Sequence, residues 1–351
     1  DGFVQSGSGL LKLRIPALLL VVVLVVPCFL AQSRTSFLYG GSSTDPSTRY
    51  SRDTTTIDEI FGKETAAVLL IPRGDPGRET ALCKSLGDIT HVTGVFSYVT
   101  SIGSSIPDGF LDETIVANFY SENYARIVIY TDNPEEGTEA FSTVSAIRSA
   151  AAEYYPESFL TGQSASLYDI KDVVTGDSMK VNLIAIAFIL ITLLVTFKSL
   201  TLPLILLFTI ESAIWINLSI PYFYGTTLIY IGYLVVNTVQ LGATIDYAIL
   251  MTEGYYSNRA EMGARAAVEK TLGENFISVL TSALILSSAG FCLNFVSTAI
   301  IVSELGLLLA RGTLISLALV LLVLPGLLLI FDRATTKLTL RSNFLKEEKK
   351  S

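Results

Sequence analysis

Long apolar stretches with few charged residues dominate the hydropathy pattern of this chain. Six of them are about as long as the roughly 20 residues that a helix needs to cross a bilayer. They lie at about residues 10–31, 181–197, 202–222, 228–252, 277–296 and 305–331. The pattern predicts a polytopic α-helical membrane protein with six transmembrane helices, one before a long gap and five after it.

The gap carries a different pattern, in which short β-rich runs alternate with amphipathic helical segments. We predict strands at 66–71, 91–100, 126–131 and 158–161, and helices at 76–86, 105–119, 134–155 and from about 164 onward. A stretch rich in Gly, Ser and Thr at 39–56 precedes them. The expected result is an α+β porter-like domain of helices on one sheet, inserted after the first membrane helix. The predicted divisions are 1–31, 32–178, 179–331 and a charged tail at 332–351.

Composition and charge agree with a membrane protein and suggest its orientation. Half of the 351 residues are hydrophobic and 16% are charged, with a mean hydropathy of +0.55. In domain 32–178 acidic residues outnumber basic ones about two to one. Basic residues flank the spans on one side, which favours the cytoplasm for that side: Lys12, Arg14, Lys198, Arg259, Arg265, Lys270, Arg333, Lys337 and Arg341. We therefore expect a multi-pass protein of the cell (inner) membrane, with both ends of this chain cytoplasmic and the domain extracytoplasmic.

The sequence offers little for catalysis or metal binding. Cys28 and Cys292 lie in predicted spans, which leaves Cys83 alone in the domain, without a partner for an internal disulfide. His91 is the single histidine, and we expect it to have a structural or surface role. The chain has no Walker A pattern, no zinc spacing and no nucleophile with a base. We predict neither an enzyme nor a metal site nor a cofactor, and no nucleic-acid partner.

Three ionisable residues fall inside the later predicted spans, Glu211, Asp246 and Arg311, and Glu304 lies at the outer end of the sixth span. Each costs at least about 2.5 kcal/mol to insert, and such residues usually face a bundle interior or a water-filled path. They are therefore the candidates for function.

The fourth span concentrates small and polar residues at one depth. Thr238, Gly242 and Asp246 recur every four residues and share a helix face, and Gly242 lets a neighbouring helix approach the acid. We expect Asp246 to be buried against the fifth or sixth span, where burial disfavours the charged carboxylate and the group can bind and release a proton. A permanent ion pair that only holds helices together is the alternative.

The segment QLGATIDYAIL at 240–250 resembles the Gly-xxx-Asp-Tyr signature in the fourth span of each half of resistance-nodulation-division (RND) superfamily transporters, and most closely the MMPL-type branch. The order of one span, a porter-like domain and five spans resembles that family's half-repeat. The segments FLYG at 37–40 and YSENY at 120–124 resemble the C-terminal half. We therefore expect this chain to be part of a longer protein.

The resemblance implies export of lipids or other amphiphilic molecules driven by the proton-motive force, with protons as the coupling ion. It assigns the proton relay to Asp246 and Tyr247, and we add Thr281 and Ser282 of the fifth span as a hydrogen-bonded continuation. Intramembrane support falls to Gly242, Glu211, Arg311 and Glu304, and Glu304 competes with Asp246 as the partner of Arg311. The implied partners are the other half of the same polypeptide, the membrane and a lipid cargo, with self-association as a further option.

Two other functions are compatible with the same pattern. The proton-driven helper of the Sec translocase shares the superfamily fold, which makes a protein-secretion accessory the second hypothesis. A membrane sensor resembling the sterol-sensing five-span unit is the third, and it would not need a titrating acid.

Overall fold

The computed structural model describes residues 2–40 and 48–339, with side chains from Ile15 onward. It contains two compact units. The membrane unit comprises Asp1–Phe37 and Ser178–Ser351, and the α+β unit comprises Leu38–Asp177. Each is described by itself below.

Six helices in the described part of the chain are long and apolar enough to cross a bilayer. This confirms the predicted multi-pass membrane protein. Numbered in chain order over the whole molecule, they are α1 (Gly2–Gln32), α6 (Gln163–Phe197), α7 (Thr201–Tyr224), α8 (Tyr230–Arg259), α9 (Ala264–Val296) and α10 (Ile300–Leu322). Two-residue strands occur at β1 (Phe37–Leu38) and β6 (Leu228–Ile229).

The sixth span consists of two helices. After α10 the chain turns at Val323 and continues as α11 (Leu324–Ile330). Pro325 causes the break, because proline has no N–H and its ring collides with the carbonyl one turn earlier. The short helix α12 (Asp332–Leu338) follows, so the predicted charged tail begins as a helix. Residues 340–351 of that tail lie outside the described residues.

Helices α8 and α9 extend further than the apolar stretches predict. Arg259 is the last residue of α8, and Arg265 and Lys270 lie in the first turns of α9. These three cations therefore lie in helices, beyond the apolar stretches that predict the spans. Polar residues can lengthen a helix beyond the apolar run, since the exposed ends need no hydrophobic side chains.

The core of the membrane unit surrounds α7. Within its membrane-spanning window 72% of the residues are buried, against 11% for α6. Leu202, Leu206 and Ile210 of α7 are fully buried and pack with Ala248 and Tyr255 of α8. Helix α7 is therefore the central element on which the polar side chains described below are positioned.

The α+β unit contains one antiparallel sheet of four strands in the order β3-β4-β2-β5. Its strands and helices are α2 (Arg49–Phe61), β2 (Thr65–Pro72), α3 (Pro76–Gly87), β3 (Val92–Phe96), α4 (Glu113–Val116), β4 (Tyr124–Thr131), α5 (Thr138–Tyr154) and β5 (Phe159–Gly162). From β2 to β5 the two βαβ segments interleave as in the ferredoxin-like fold. Buried residues of β2 and β4 alternate with more exposed ones, and they pack on α3 and α5.

The sequence located these four strands, but it misplaced several boundaries. The predicted helix 105–119 is wrong, because Pro107 and Gly109 allow only a 3₁₀ turn (Asp108–Phe110) before the single turn of α4. The predicted strand 91–100 ends at Phe96, after which Val99–Gly103 forms a π-helical turn.

Two helices of this unit also differ from the prediction. Helix α5 begins at Thr138 rather than at residue 134, since Gly137 adopts a φ of 123° that a helix cannot contain. The polar helix α2 was not predicted. Its start is marked by Thr48, whose side chain accepts a hydrogen bond from the Ser51 N–H.

Helix α6 is continuous from Gln163, directly after β5, to Phe197 at the end of the second span. The predicted helix that begins at about residue 164 is confirmed. No proline interrupts its 35 residues, and Gly176 is accommodated at an exposed position.

Candidate functional site

Polar side chains from three helices meet in the interior of the membrane unit. Asn217 comes from α7, Gln240 and Thr244 from α8, and Arg311 and Ser316 from α10. Asn217 and Ser316 are fully buried, and Gln240 is 1% exposed. We call these five residues the central polar network.

Each member of the network is hydrogen-bonded. The Arg311 guanidinium donates through Nε to Asn217 Oδ1 at 2.8 Å and through Nη2 to the Asn217 carbonyl at 3.1 Å. Asn217 Nδ2 donates to Gln240 Oε1 at 2.8 Å, and Gln240 Nε2 donates to the Gly312 carbonyl at 3.3 Å. Thr244 Oγ1 lies 3.0 Å from Ser316 Oγ. Buried polar groups stabilise only when they are paired in this way.

The network requires a glycine at position 312. A Cβ atom there would overlap the side-chain amides of Gln240 and Asn217. Gly312 therefore permits α10 to approach α7 and α8 closely enough for the amides to reach the α10 backbone.

Sequence reasoning noted Gln240 and Thr244 as polar residues of the fourth span, but it missed Asn217 and Ser316. The available signal was an asparagine in the apolar segment INLSI at 216–220. A carboxamide in a membrane helix needs a partner for the same reason as a charge. The search for charges alone overlooked it.

Asp246 lies on a different face of α8 from the central polar network. Its side chain is exposed on the surface of the membrane unit, as are Thr238 and Gly242. The prediction that Asp246 is buried against the fifth or sixth span is therefore wrong for this chain. Helix geometry gives the reason, since successive residues turn by about 100° and Gln240 and Thr244 occupy the inward face. We call Thr238, Gly242 and Asp246 the α8 stripe, and its shared face agrees with the predicted spacing.

The other predicted relay residues are not connected to Asp246 by any hydrogen bond in the described part of the chain. Tyr247 is 8% exposed and packs in the apolar core of the membrane unit. Thr281 and Ser282 are both exposed on α9. The structure thus places Asp246 and Tyr247 on diverging faces and does not assemble the four residues into a chain.

Arg311 has neither of its predicted acidic partners. Among the described residues it forms no ion pair, and its cation is held by the neutral oxygens of Asn217. It lies at the level of Gln240, which precedes Asp246 by six residues, or about 9 Å along a helix. Glu304 instead accepts a hydrogen bond from the Ile229 N–H at 3.2 Å.

Glu211 is the most deeply buried acid of the spans. It is 8% exposed on α7, and its Oε1 has no hydrogen-bond partner among the described residues. Burying a polar atom without a partner costs free energy. Glu211 is therefore a second candidate for a functional carboxyl in the membrane unit.

A buried ion pair joins α8 to α12 at one end of the bundle. Arg259 at the end of α8 is 3% exposed in its side chain and holds Asp332 of α12 with two bonds of 3.0 and 3.2 Å. The Tyr255 hydroxyl also donates to Asp332. Sequence analysis counted Arg259 among the cations that flank the spans and missed this contact. Since Arg259 and Asp332 lie 73 residues apart, spacing offered no signal.

Among the described residues of the α+β unit, one acid is buried, Glu79 of α3. Its side chain is 4% exposed, and it accepts a hydrogen bond of 2.9 Å from the Tyr120 hydroxyl. Burial raises the pKa of the Glu79 carboxyl above its ordinary value of 4.5, and the Tyr120 bond opposes this only in part. The neighbouring Cys83 thiol, also desolvated, has its pKa raised to about 11, which makes it unreactive at neutral pH.

The other candidate side chains of this unit are on its surface. His91 Nδ1 lies 2.9 Å from Asp132 Oδ1 in an exposed pair, in keeping with a surface role. In the described ranges, no group of three or more His, Cys, Asp or Glu side chains is arranged to hold a metal ion.

Six long apolar helices with a satisfied polar network inside them define a multi-pass membrane protein. The MMPL family profile matches residues 63–347 of the chain. The chain therefore belongs to the MMPL family.

One similar protein is the probable transport protein MmpL4 of Mycobacterium leprae (strain TN), which is 30% identical over 181 residues. The aligned region covers 50% of this chain and 19% of that protein. The chain thus spans well under two thirds of the length of this relative.

Proposed function

We propose that the full protein exports lipids or other amphiphilic molecules and that protons carried by Asp246 drive the export. The observation that carries this proposal is the position of Asp246, a carboxyl exposed in the middle of an apolar helix on a face of small and polar residues. A carboxylate in contact with acyl chains is costly, so such groups face protein or water.

The other half of the same polypeptide is the proposed cover for the α8 stripe. Within this chain nothing lies within 4 Å of a Cβ atom built on Gly242, which leaves room beside the acid. Small residues at such a position allow two helices to approach closely. Asp246 would then be enclosed between the halves, where binding and release of a proton can change their contacts.

The proposed orientation follows from the basic residues. The described cations near the ends of α6, α8 and α12 and at the start of α9 lie on one side of the bundle, since the Arg259–Asp332 pair and the bridge between Ser199 and Thr339 join these ends. The positive-inside rule assigns this basic end to the cytoplasm. The α+β unit would then lie outside the cell membrane, where it passes cargo onward.

Protons are the energy source that the chain's own chemistry favours. One charge that crosses the membrane releases about 2.3 kcal/mol for each 100 mV. The central polar network contributes rigidity in this scheme, because it ties α8 to α7 and α10 and so fixes the direction of the α8 stripe.

The test compares Asp246→Asn with Glu253→Gln in the full-length protein. Both remove one charge from an exposed position of α8, but Glu253 lies two turns nearer the basic end. In proteoliposomes with an imposed proton gradient, Asp246→Asn should lose at least about 90% of lipid efflux at matched protein content, and Glu253→Gln should retain it. Expression and melting temperature should not fall in either variant.

Gradient-dependent efflux at the unaltered rate in Asp246→Asn would contradict the proposal, and Glu211→Gln would then be the next variant. If the unaltered protein itself shows no gradient-dependent efflux of lipid, a secretion accessory or a sensor becomes the better interpretation.

A further inference from the structure

An apolar groove of about 630 Å³ runs along the membrane unit at its basic end. Helix α1 forms one wall, the first two turns of α7 form the floor, and α11 and α12 form the other wall. Its lining is Leu18, Val22, Leu200, Thr201, Leu204, Ile205, Phe208, Leu327, Ile330, Phe331, Ala334 and Leu338. Leu204 and Ile330 are more than half exposed, so the groove is open along the surface of the unit.

The backbone fixes one end of the groove at the turn between α6 and α7. Ser199 forms an isolated antiparallel bridge with Thr339, and the Leu200 N–H donates to the Leu338 carbonyl at 3.4 Å. Lys198 in this turn has a φ of 48°. The bridge therefore brings the turn next to the end of α12.

Positive charge surrounds that end of the groove. Lys198 and Lys337 each adjoin the bridged segments, and Arg333 lies one turn before Lys337 on α12. All three are exposed, and none of them forms an ion pair with another described residue. Helix α12 thus presents Ala334 and Leu338 to the groove beside a basic face, the arrangement of a short interfacial helix.

One polar side chain of the groove lacks a partner. Thr201 is 8% exposed, and its Oγ1 is buried without a hydrogen bond to any described residue. It is the first residue of α7, a helix of 24 residues whose N-terminus has no side-chain cap. The helix dipole at the start of α7 favours an anion nearby.

We propose that this groove binds one anionic phospholipid of the surrounding bilayer. An acyl chain lies against Leu204, Phe208 and Ile330, and Lys198 and Lys337 face the headgroup at the start of α7. The charge of the groove favours an anionic lipid over a zwitterionic one, because its described rim has three cations and none of them is paired with an acid. This site goes beyond the proposed transport function, because it holds a membrane lipid at the basic end of the bundle, away from Asp246.

Native mass spectrometry of the purified full-length protein tests the proposal. The delipidated protein is titrated with dioleoylphosphatidylglycerol or with dioleoylphosphatidylcholine. We expect one phosphatidylglycerol to bind about tenfold more tightly than phosphatidylcholine, given the contribution of two lysines at a membrane surface. The double variant Lys198→Gln/Lys337→Gln should lose this preference but still bind phosphatidylcholine.

Further variants distinguish lipid bound in the groove from lipid in non-specific contact with the rest of the membrane unit. Leu204→Trp should abolish the tight site by filling the groove. Ile285→Trp, at a position of α9 that is 67% exposed and outside the groove, is the matched control and should bind like the unaltered protein. If Leu204→Trp lowers the melting temperature, Ala334→Leu narrows the groove from the opposite wall.

Equal binding of the two lipids, or a tight site that survives both Leu204→Trp and Ala334→Leu, would overturn the proposal. Absence of any tightly bound lipid would do the same and would indicate that the other half of the polypeptide covers the groove. Gradient-driven efflux is measured separately, so failure of the lipid site and failure of the transport proposal are distinguishable.

Discussion

At the scale of single residues, Asn217 connects Arg311 to Gln240 in the central polar network. It accepts two hydrogen bonds from the Arg311 cation and donates one to Gln240. Replacement by leucine leaves the half-buried Arg311 guanidinium without its side-chain acceptor, so Asn217→Leu should destabilise the protein by about 2 kcal/mol. The midpoint of thermal unfolding of the full-length protein in detergent measures this loss.

The double variant Asn217→Leu/Arg311→Met tests whether the lost stability comes from the Arg311 cation that is left without its acceptor. It removes donor and acceptor together, which is close to neutral when shapes are preserved, and it should recover most of the lost stability. Asn294→Leu is the matched control, since Asn294 donates only to Ser303. A double variant as unstable as Asn217→Leu would show that Asn217 acts through packing and not through Arg311.

Glu79 makes the stability of the α+β unit depend on pH. Its pKa in the folded protein is raised above 4.5 by burial, so the folded state binds the proton more tightly than the unfolded state. The stabilisation is therefore fully present below pH 4.5 and is lost as the pH rises through the folded pKa. Glu79→Gln should flatten this dependence and keep an acceptor for Tyr120.

Hydrogen exchange of the α3 amides in the full-length protein, corrected for intrinsic rates, measures the local stability at pH 5 and pH 8. The unaltered protein should lose protection between these values, and Glu79→Gln should not. Glu113→Gln, which neutralises an exposed acid of α4, should behave like the unaltered protein. Identical pH dependence in Glu79→Gln would assign the effect to another group.

At the scale of elements, the Arg259–Asp332 pair joins the end of α8 to α12. Asp332→Asn leaves a side chain that is 3% exposed with an uncompensated charge, and breaking a buried pair from one side costs about 3 kcal/mol. We expect a clear fall in the thermal midpoint. Glu269→Gln, which breaks the more exposed Arg265 pair within α9, should cost about 0.5 kcal/mol or less. Equal losses of stability in the two variants would show that the Arg259–Asp332 pair does not stabilise the contact between α8 and α12.

At the scale of the whole molecule, the α8 stripe offers a test of the proposed contact with the other half of the polypeptide. Within this chain a side chain at Gly242 would meet nothing within 4 Å, so Gly242→Leu should leave the membrane unit intact. If the other half packs there, the added side chain separates the halves and efflux should fall at least about tenfold. Gly176→Leu, at another exposed helical glycine, controls for the substitution itself. Unaltered efflux in Gly242→Leu would show that the other half of the polypeptide does not pack against α8 at this position.

Much of the fold was predictable because it depends on local chemistry. The six spans follow from the length of apolar runs, and the four strands of the α+β unit follow from β-rich runs between turn residues. The predicted boundaries were wrong where a single residue determines the start or the end of a helix. Examples are Gly137 before α5, Pro107 and Gly109 in the predicted helix 105–119, and the Thr48 cap of α2.

The candidate site was predictable only in part. The sequence identified Asp246, Gly242 and Arg311 as residues of interest because charges and glycines are conspicuous in apolar helices. It assigned Arg311 to the acids Asp246 or Glu304, whereas the structure gives it Asn217. Glu304 and Arg311 lie two turns apart on one helix, a rise of about 10.5 Å. Asp246 and Arg311 belong to different helices, so their separation of 65 residues gives no distance.

The sequence by itself determined that this chain is a multi-pass membrane protein with an α+β unit and that it has acids in its spans. Tertiary structure alone decided which way those acids point. A helix that is apolar on every side gives no periodic signal for its buried face, so the inward position of Gln240 and the outward position of Asp246 depend on where α7 and α10 pack. That packing is set by close contacts such as Gly312 against two amides, which no property of one helix encodes.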